Sequence, residues 1–373
     1  LRQNFETRYF LEIKDMSIAR KTVKTLAFLT LLFVSPVFSQ EHHNDQSGDS
    51  GEEAFDPTEV IMHHISDSHE FHIFGDVSLP LPVILWTNNG LVTFMSSEFH
   101  HDETGEVIVE KNGMKFVRYH DEIYYAGADG KLSFDGEHHP LNDRPLNFSI
   151  TKNVFTLFLS AALMLLIFIP VAQSYKKNQG APKGLAGFME PLILFVRNDI
   201  AIPNIGKKKH EKYMPYLLTV FFLIWLGNLF GLIPFFPFTG TLTNDIVFTG
   251  VLAVFTFLIT TFSGNKHYWG HIFATPGVPK PLLLIMIPVE VLGMFTKPFA
   301  LMVRLFANIT AGHIVILSLF SLIFIFKTAA VSPVSIAFAL FMFVLELLVA
   351  ALQAYVFTLL SALFIGQAVD DHH

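Results

Sequence analysis

The stretch Ile287–Phe326, IPVEVLGMFTKPFALMVRLFANITAGHIVILSLFSLIFIF, is apolar throughout except for a few ionisable groups. As a helix rising ~1.5 Å per residue it would be about 60 Å long, twice the ~30 Å of bilayer hydrocarbon. Such a segment must tilt steeply or break into a surface piece and a spanning piece. Residues 334–368 show the same excess length. Upstream lie three spans of ordinary length. One is the uncharged run between Lys152 and Lys176, one runs from about Met214 to Pro237, and one from about Ile246 to Phe262. The pattern predicts an all-α polytopic membrane protein of about five membrane helices, the last two long and strongly tilted. A small β-rich extracytoplasmic insertion precedes them.

Composition agrees. Hydrophobic residues make up 51% of the 373 and charged residues only 15%, against about 25% charged in a soluble domain. The absence of cysteine excludes a disulfide framework, cysteine-ligated zinc and thiol nucleophiles. A net charge of −7 argues against general nucleic-acid binding.

Residues 1–15 precede the first plausible initiator, Met16, and read as an upstream mis-called start. Residues 16–39 carry a basic start (Arg20, Lys21, Lys24), a short apolar run and small residues at Val37 and Ser39. That is the pattern of a secretory signal peptide, with an uncleaved anchor as the alternative. Residues 40–148 form an acidic, His-rich extracytoplasmic region. From 41 to 148 it holds 21 acidic and five basic residues and 11 of the 17 histidines. Its start, to about Pro57, is too polar to fold. Farther on, Asn112-Gly113 and Asp129-Gly130 separate short β-type runs and signal hairpins. His pairs at 42/43, 63/64, 100/101 and 138/139 read more readily as solvated surface than as metal ligands. The membrane domain then spans 149–370, followed by a tail at 371–373.

Orientation follows from the loops. Residues 175–213 carry eight Lys and Arg, which places that loop in the cytoplasm. Five crossings from an outside N-terminus bring the C-terminal tail to the cytoplasm as well.

Ionisable groups inside hydrocarbon cost several kcal/mol and therefore mark partners or pathways. Glu290, Lys297 and Arg304 are spaced by seven residues, and Asn308 extends their stripe by four. Gly312 and His313 follow. On the last segment Glu346 and Gln353 are again seven apart. An arginine cannot relay a proton at neutral pH, so Arg304 suits a fixed positive charge acting on a mobile carboxylate. His313 and Glu346 could exchange protons with entering water. The competing reading is an Arg304–Glu346 ion pair that only joins two helices, with Glu290 and Lys297 snorkelling at the interface.

The block PVEVLGMFTKPFALMVRLFANITAGHIV (288–315) resembles the a subunit of the F-type ATP synthase membrane sector. The R-L-F-x-N-x-x-A-G core formed by Arg304, Leu305, Phe306, Asn308, Ala311 and Gly312 is specific to that family. LQAYVFTLLSALF (352–364), WLGNLFGLIP (225–234), TLFLSAALMLLIF and PTEVIMHHI (57–65) are similar too. The resemblance covers roughly 57–74 and 148–370, and the residues between look like an insertion.

The resemblance implies a stator subunit that forms two offset half-channels for ions, proton in the first instance, against a rotating ring of c subunits. Its partners would be that ring, the b-subunit peripheral stalk, the rest of the complex and membrane lipid, in a bacterial inner membrane. Arg304 would separate the half-channels and attract each ring carboxylate. Asn308, His313, Glu346 and Gln353 would line the outer half-channel, Glu290 would lie towards the cytoplasmic exit, and Lys297 would be interfacial. Many bacterial members hold Glu at the position of His313 and His at that of Glu346, so the pair stands here in exchanged order. Gly231 replaces an acidic residue of some relatives. The resemblance assigns no catalytic residue, cofactor or metal to this chain, and there is no G-x-x-x-x-G-K-[ST] loop to hold nucleotide. The rival readings are an independent channel or secondary transporter, and a non-transporting anchor that presents the acidic domain outside.

Overall fold

A computed structural model describes residues 67–74, 77–102, 104–127, 130–135, 139–177, 183–233, 242–273, 279–326 and 332–370. The upstream residues 1–15, the signal peptide at 16–39, the His pairs 42/43 and 63/64 and the tail at 371–373 fall outside them. Among the described residues, His72–Leu79 form a small unit of their own, and the rest belongs to a second.

Strands β1 (Glu70–Phe74) and β2 (Val77–Pro80) come first. β3 (Pro82–Thr87) and β4 (Gly90–Met95) follow, then β5 (Val109–Lys111), β6 (Met114–Tyr119), β7 (Glu122–Tyr125) and β8 (Leu146–Asn147). One antiparallel sheet has the order β4-β3-β8, another β5-β6-β7. Alternating residues from both (Val83, Leu85, Val92, Phe94, Val109 and Phe116) meet in one core with Phe99 and Ile123. Asn112 (φ 51°) and Gly113 (φ 73°) turn β5 into β6, the hairpin that this dipeptide predicts. The β6–β7 turn uses His120 and Asp121, also at positive φ. Neither position is a glycine, the usual signal of such a turn, although His and Asp adopt positive φ more readily than most side chains. At Gly130 the chain turns tightly, but Phe134 then pairs only in a single bridge with Pro140. Asp129 is outside the described residues.

A charged network lies beneath these strands. Arg118 is fully buried and pairs with Glu70 at 3.0 Å, while its Nε donates to the Asp102 carbonyl. Glu70 also meets His101 Nδ1 at 2.7 Å. Burial raises the Glu70 carboxyl, but Arg118 and then His101 outweigh burial and hold it below the usual range. Burial, reinforced by Arg118, pushes the neighbouring His69 down to about 4. Between pH 6.5 and 4 the unfolded chain therefore protonates His69 while the folded chain does not, and stability falls as pH falls. This histidine alone accounts for at most about 3 kcal/mol. Glu70 acts in the same direction below the ordinary carboxylate range. Amide protection factors over Met114–Tyr119 in the solubilised protein, taken relative to the intrinsic exchange rate at each pH, should fall across that window, and His69→Gln should flatten the response.

The helical part begins four residues after β8. Its elements are α1 (Lys152–Lys177), α2 (Leu185–Phe195), a π turn at Val196–Ala201, α3 (Ile202–Ile205), α4 (His210–Gly231), α5 (Ile246–Ser263), α6 (Lys266–Phe273), α7 (Lys280–Phe326) and α8 (Ser332–Val369). Five of them, α1, α4, α5, α7 and α8, are long and apolar enough to cross a membrane. α7 runs unbroken for 47 residues through Pro288 and Pro298, and α8 for 38. At ~1.5 Å per residue these are about 70 and 57 Å long, and neither breaks into the two pieces that an overlong segment could have formed. Leu217 and Ile224 of α4 and Ala354 and Ile365 of α8 centre the core.

The predicted cytoplasmic loop at 175–213 contains α2, the π turn and α3. Its apolar pieces are each too short to read as a span, yet Val196, Ile200 and Ala201 are fully buried. α8 seats its end on this bend at Gly366, where an added Cβ would fall 1.9 Å from the Asn204 carbonyl oxygen. Only glycine permits that approach of two backbones.

Candidate functional site

The polar residues of α7 and α8 divide into an exposed set and a buried set. On α7, Leu301, Leu305 and Ile309 are buried at spacings of four, which fixes the inner face of the helix. Arg304 and Asn308 lie beside that face and are exposed, as is Lys297, while Glu290 is half-buried. Among the described residues Arg304 has neither an ion-pair partner nor a hydrogen bond. The Arg304–Glu346 ion pair, the alternative reading of the sequence, does not form. Lys297 donates to Gln367 Oε1 at 2.9 Å and lies 5.5 Å from the centre of the Phe364 ring. It thus ties α7 to the end of α8 instead of continuing a free polar stripe.

On α8 the polar positions turn inward. Glu346 and Gln353 are 5% and 4% exposed, on a face continued by Ala350, Ala354 and Phe357. Glu346 Oε1 lies 3.7 Å from His313 Nε2 across the α7–α8 contact. Neither carboxyl oxygen has a hydrogen-bond partner among the described residues, an arrangement that costs free energy in a buried group and that native proteins seldom carry without a functional reason. Gly312 makes room for it, since a Cβ at that position would sit 2.7 Å from Glu346 Oε1. The structure therefore unites His313, Gly312 and Glu346, and keeps Arg304 and Asn308 apart from them on the outer side of α7.

Other polar contacts near this region had not been singled out from the sequence. Thr310 Oγ1, three residues before His313, donates to Asn244 Oδ1 at 3.0 Å. Thr243 Oγ1 donates to Asn228 Oδ1 at 2.5 Å, and Asn228 Nδ2 is buried without a partner. Asn228 lies within GNLFG, where the glycine spacing points to packing. Packing is indeed served at Gly227, which meets Leu242, and the asparagine beside it was the signal overlooked. In the strand region His101 is committed to Glu70. No group of three or more His, Asp or Glu suited to a metal occurs among the described residues.

Residues 154–366 match the family model described as ATP synthase A chain. Residues 60–148 match a second model, described only as a domain of unknown function. The chain is 53% identical over 234 residues to the ATP synthase subunit a of Chloroherpeton thalassium, covering 61% of this chain and 69% of the relative. With the protein of that description from Anaeromyxobacter dehalogenans it shares 43% over 290 residues, 73% of this chain and 74% of the other. The one from Chlorobium phaeobacteroides is 39% identical over 336 residues, 87% of this chain and 78% of the relative. That last alignment is too long to be confined to the membrane helices.

Proposed function

Because this chain belongs to the ATP synthase A chain family, we propose that it conducts ions, protons first among them, past a rotating ring of c subunits. It is a multi-pass, non-catalytic membrane subunit of a bacterial ATP synthase. In our reading two offset half-channels meet the ring at α7. Arg304 draws each deprotonated ring carboxylate towards it and keeps the half-channels from joining. His313 and Glu346, with Gln353 about two turns along the same face of α8, pass the ion inward from the outer side. Asn308 borders that path, and Glu290 faces the cytoplasmic exit. The acidic strand region lies outside, and the eight Lys and Arg of 175–213 favour a cytoplasmic position for that loop and for the C-terminus. The b-subunit stalk would hold the chain still while the ring turns.

One observation carries the reading. A permanently charged guanidinium stands exposed on a membrane helix with no acidic partner among the described residues of its own chain. Hydrocarbon does not tolerate such a group cheaply, so an anion from a neighbouring subunit is the natural partner. The chain contains no cysteine, which makes a direct test available. Asn308→Cys should form a disulfide in the assembled complex with a cysteine placed beside the ring carboxylate. Leu305→Cys, 1% exposed on the inner face, should not. Equal cross-linking at both positions would remove the proposed ring-facing side of α7.

A further inference from the structure

The sheet β4-β3-β8 is apolar on both faces. Its inner face lines the strand-region core. On its outer face Trp86 pairs directly with Leu91 on one side and with Leu146 on the other. These are 56%, 55% and 64% exposed, and Met95 and Phe148 on the same face are 42% and 64% exposed. The other outward positions are Pro82, Ile84 and Thr93, so the face carries no charge. A solvated antiparallel sheet alternates apolar-in with polar-out. This one leaves roughly 500 Å² of apolar surface uncovered, as large as the largest patch on an ordinary soluble protein, which is often a functional one.

What covers it follows from where the sheet is fixed. β8 runs into α1 through residues 148–151, and this connection is bonded along β3. Phe148 N donates to the Ile84 carbonyl, Ile150 N to the Pro82 carbonyl, and Ile84 N to Ser149 Oγ. The first turn of α1 is bonded in turn to the strand region, Lys152 N to the Ser68 carbonyl and Asn153 N to Asp67 Oδ1. The sheet is thus held at the end of a membrane helix whose own Phe158, Leu165, Leu166 and Ile169 are exposed apolar groups. Phe148 stands four residues before the start of that helix, at most about 13 Å of extended chain. An exposed tryptophan at that level is what the boundary between headgroups and acyl chains selects, and exposed Phe and Leu beside it suit the apolar side of that boundary.

We propose that the outer face of β4-β3-β8 rests on the lipid surface of the leaflet that α1 enters. The apolar patch continues the lipid contact of α1 and anchors the strand region against the membrane. This inference does not depend on the path taken by ions.

The test places photoreactive benzoylphenylalanine at position 86, 91 or 148 in turn. The assembled complex is reconstituted into phosphatidylethanolamine–phosphatidylglycerol vesicles with tritiated acyl chains and irradiated. Position 110, exposed on β5 of the other sheet, is the control. Labelled lipid should attach to this chain at 86 and 148 several-fold above position 110. Adducts with another subunit or with a second copy of this chain would overturn the proposal in favour of a protein partner. Lipid labelling no greater than at 110 would overturn it outright. Assembly of each variant reports that the fold is retained, and three separate positions guard against one that disturbs it.

Discussion

Arg304→Ala should abolish ATP-driven acidification of vesicles carrying the whole complex, by at least about a hundredfold, and leave assembly and ATP hydrolysis near wild type. The two halves of this expectation have different physical sources. Arg304 lies outside the packed face of α7 formed by Leu301, Leu305 and Ile309. Truncating it removes no packing contact of that face and no partner among the described residues. The subunit should therefore fold and assemble. The charge itself is a different matter, because an arginine is the one cation that stays protonated while a carboxylate approaches it and leaves. Without it, nothing in the described part of α7 holds a positive charge at that level of the helix. Measuring hydrolysis in parallel separates loss of coupling from loss of assembly. Surviving pumping would make Arg304 a structural residue and remove it from the coupling path.

The sequence made the long elements legible because span length and charge exclusion are set by the bilayer rather than by packing. Three of the five spans lie within a residue or two of where the apolar runs end, whereas α4 starts four residues before Met214 and α7 seven residues before Ile287. Harder to read was whatever depended on tertiary neighbours. The α2–π turn–α3 bend has no amphipathic run long enough to declare itself, and its burial is decided by α8 arriving at Gly366. Helical spacing groups Arg304 with Asn308, four residues on, and Glu346 with Gln353, seven residues on, and the first pair is exposed while the second is buried. It could not tell that one group faces out and the other in, because a period fixes a stripe and not the direction in which that stripe points. Lys297 illustrates the same limit. Its spacing places it on the stripe, while its amine is drawn to Gln367. Asn228 and Thr310 were missed for a simpler reason. Single amides and hydroxyls are common in membrane helices, and only their partners mark them out.

Glu346→Gln should reduce pumping by at least about tenfold, and the reciprocal exchange His313→Glu with Glu346→His should restore a substantial part of it. Glutamine keeps the length and volume of the buried side chain, so the α7–α8 contact should survive. If Glu346 serves only packing, the replacement is close to neutral. If it accepts and releases a proton, an amide cannot substitute for it at all. The geometry makes exchange of the two residues a fair test, since the side chains already face each other at 3.7 Å across one helix contact. Gly312→Val supplies the steric counterpart, because a Cβ there would displace the carboxyl oxygen 2.7 Å away without altering any titratable group. It should depress pumping in wild type. Three results would together reduce the pair to a packing contact: full pumping by Glu346→Gln, no rescue by the exchange, and no effect of Gly312→Val. Loss in each single variant with recovery in the exchange requires instead that the acid and the base act as one unit, whichever helix carries which.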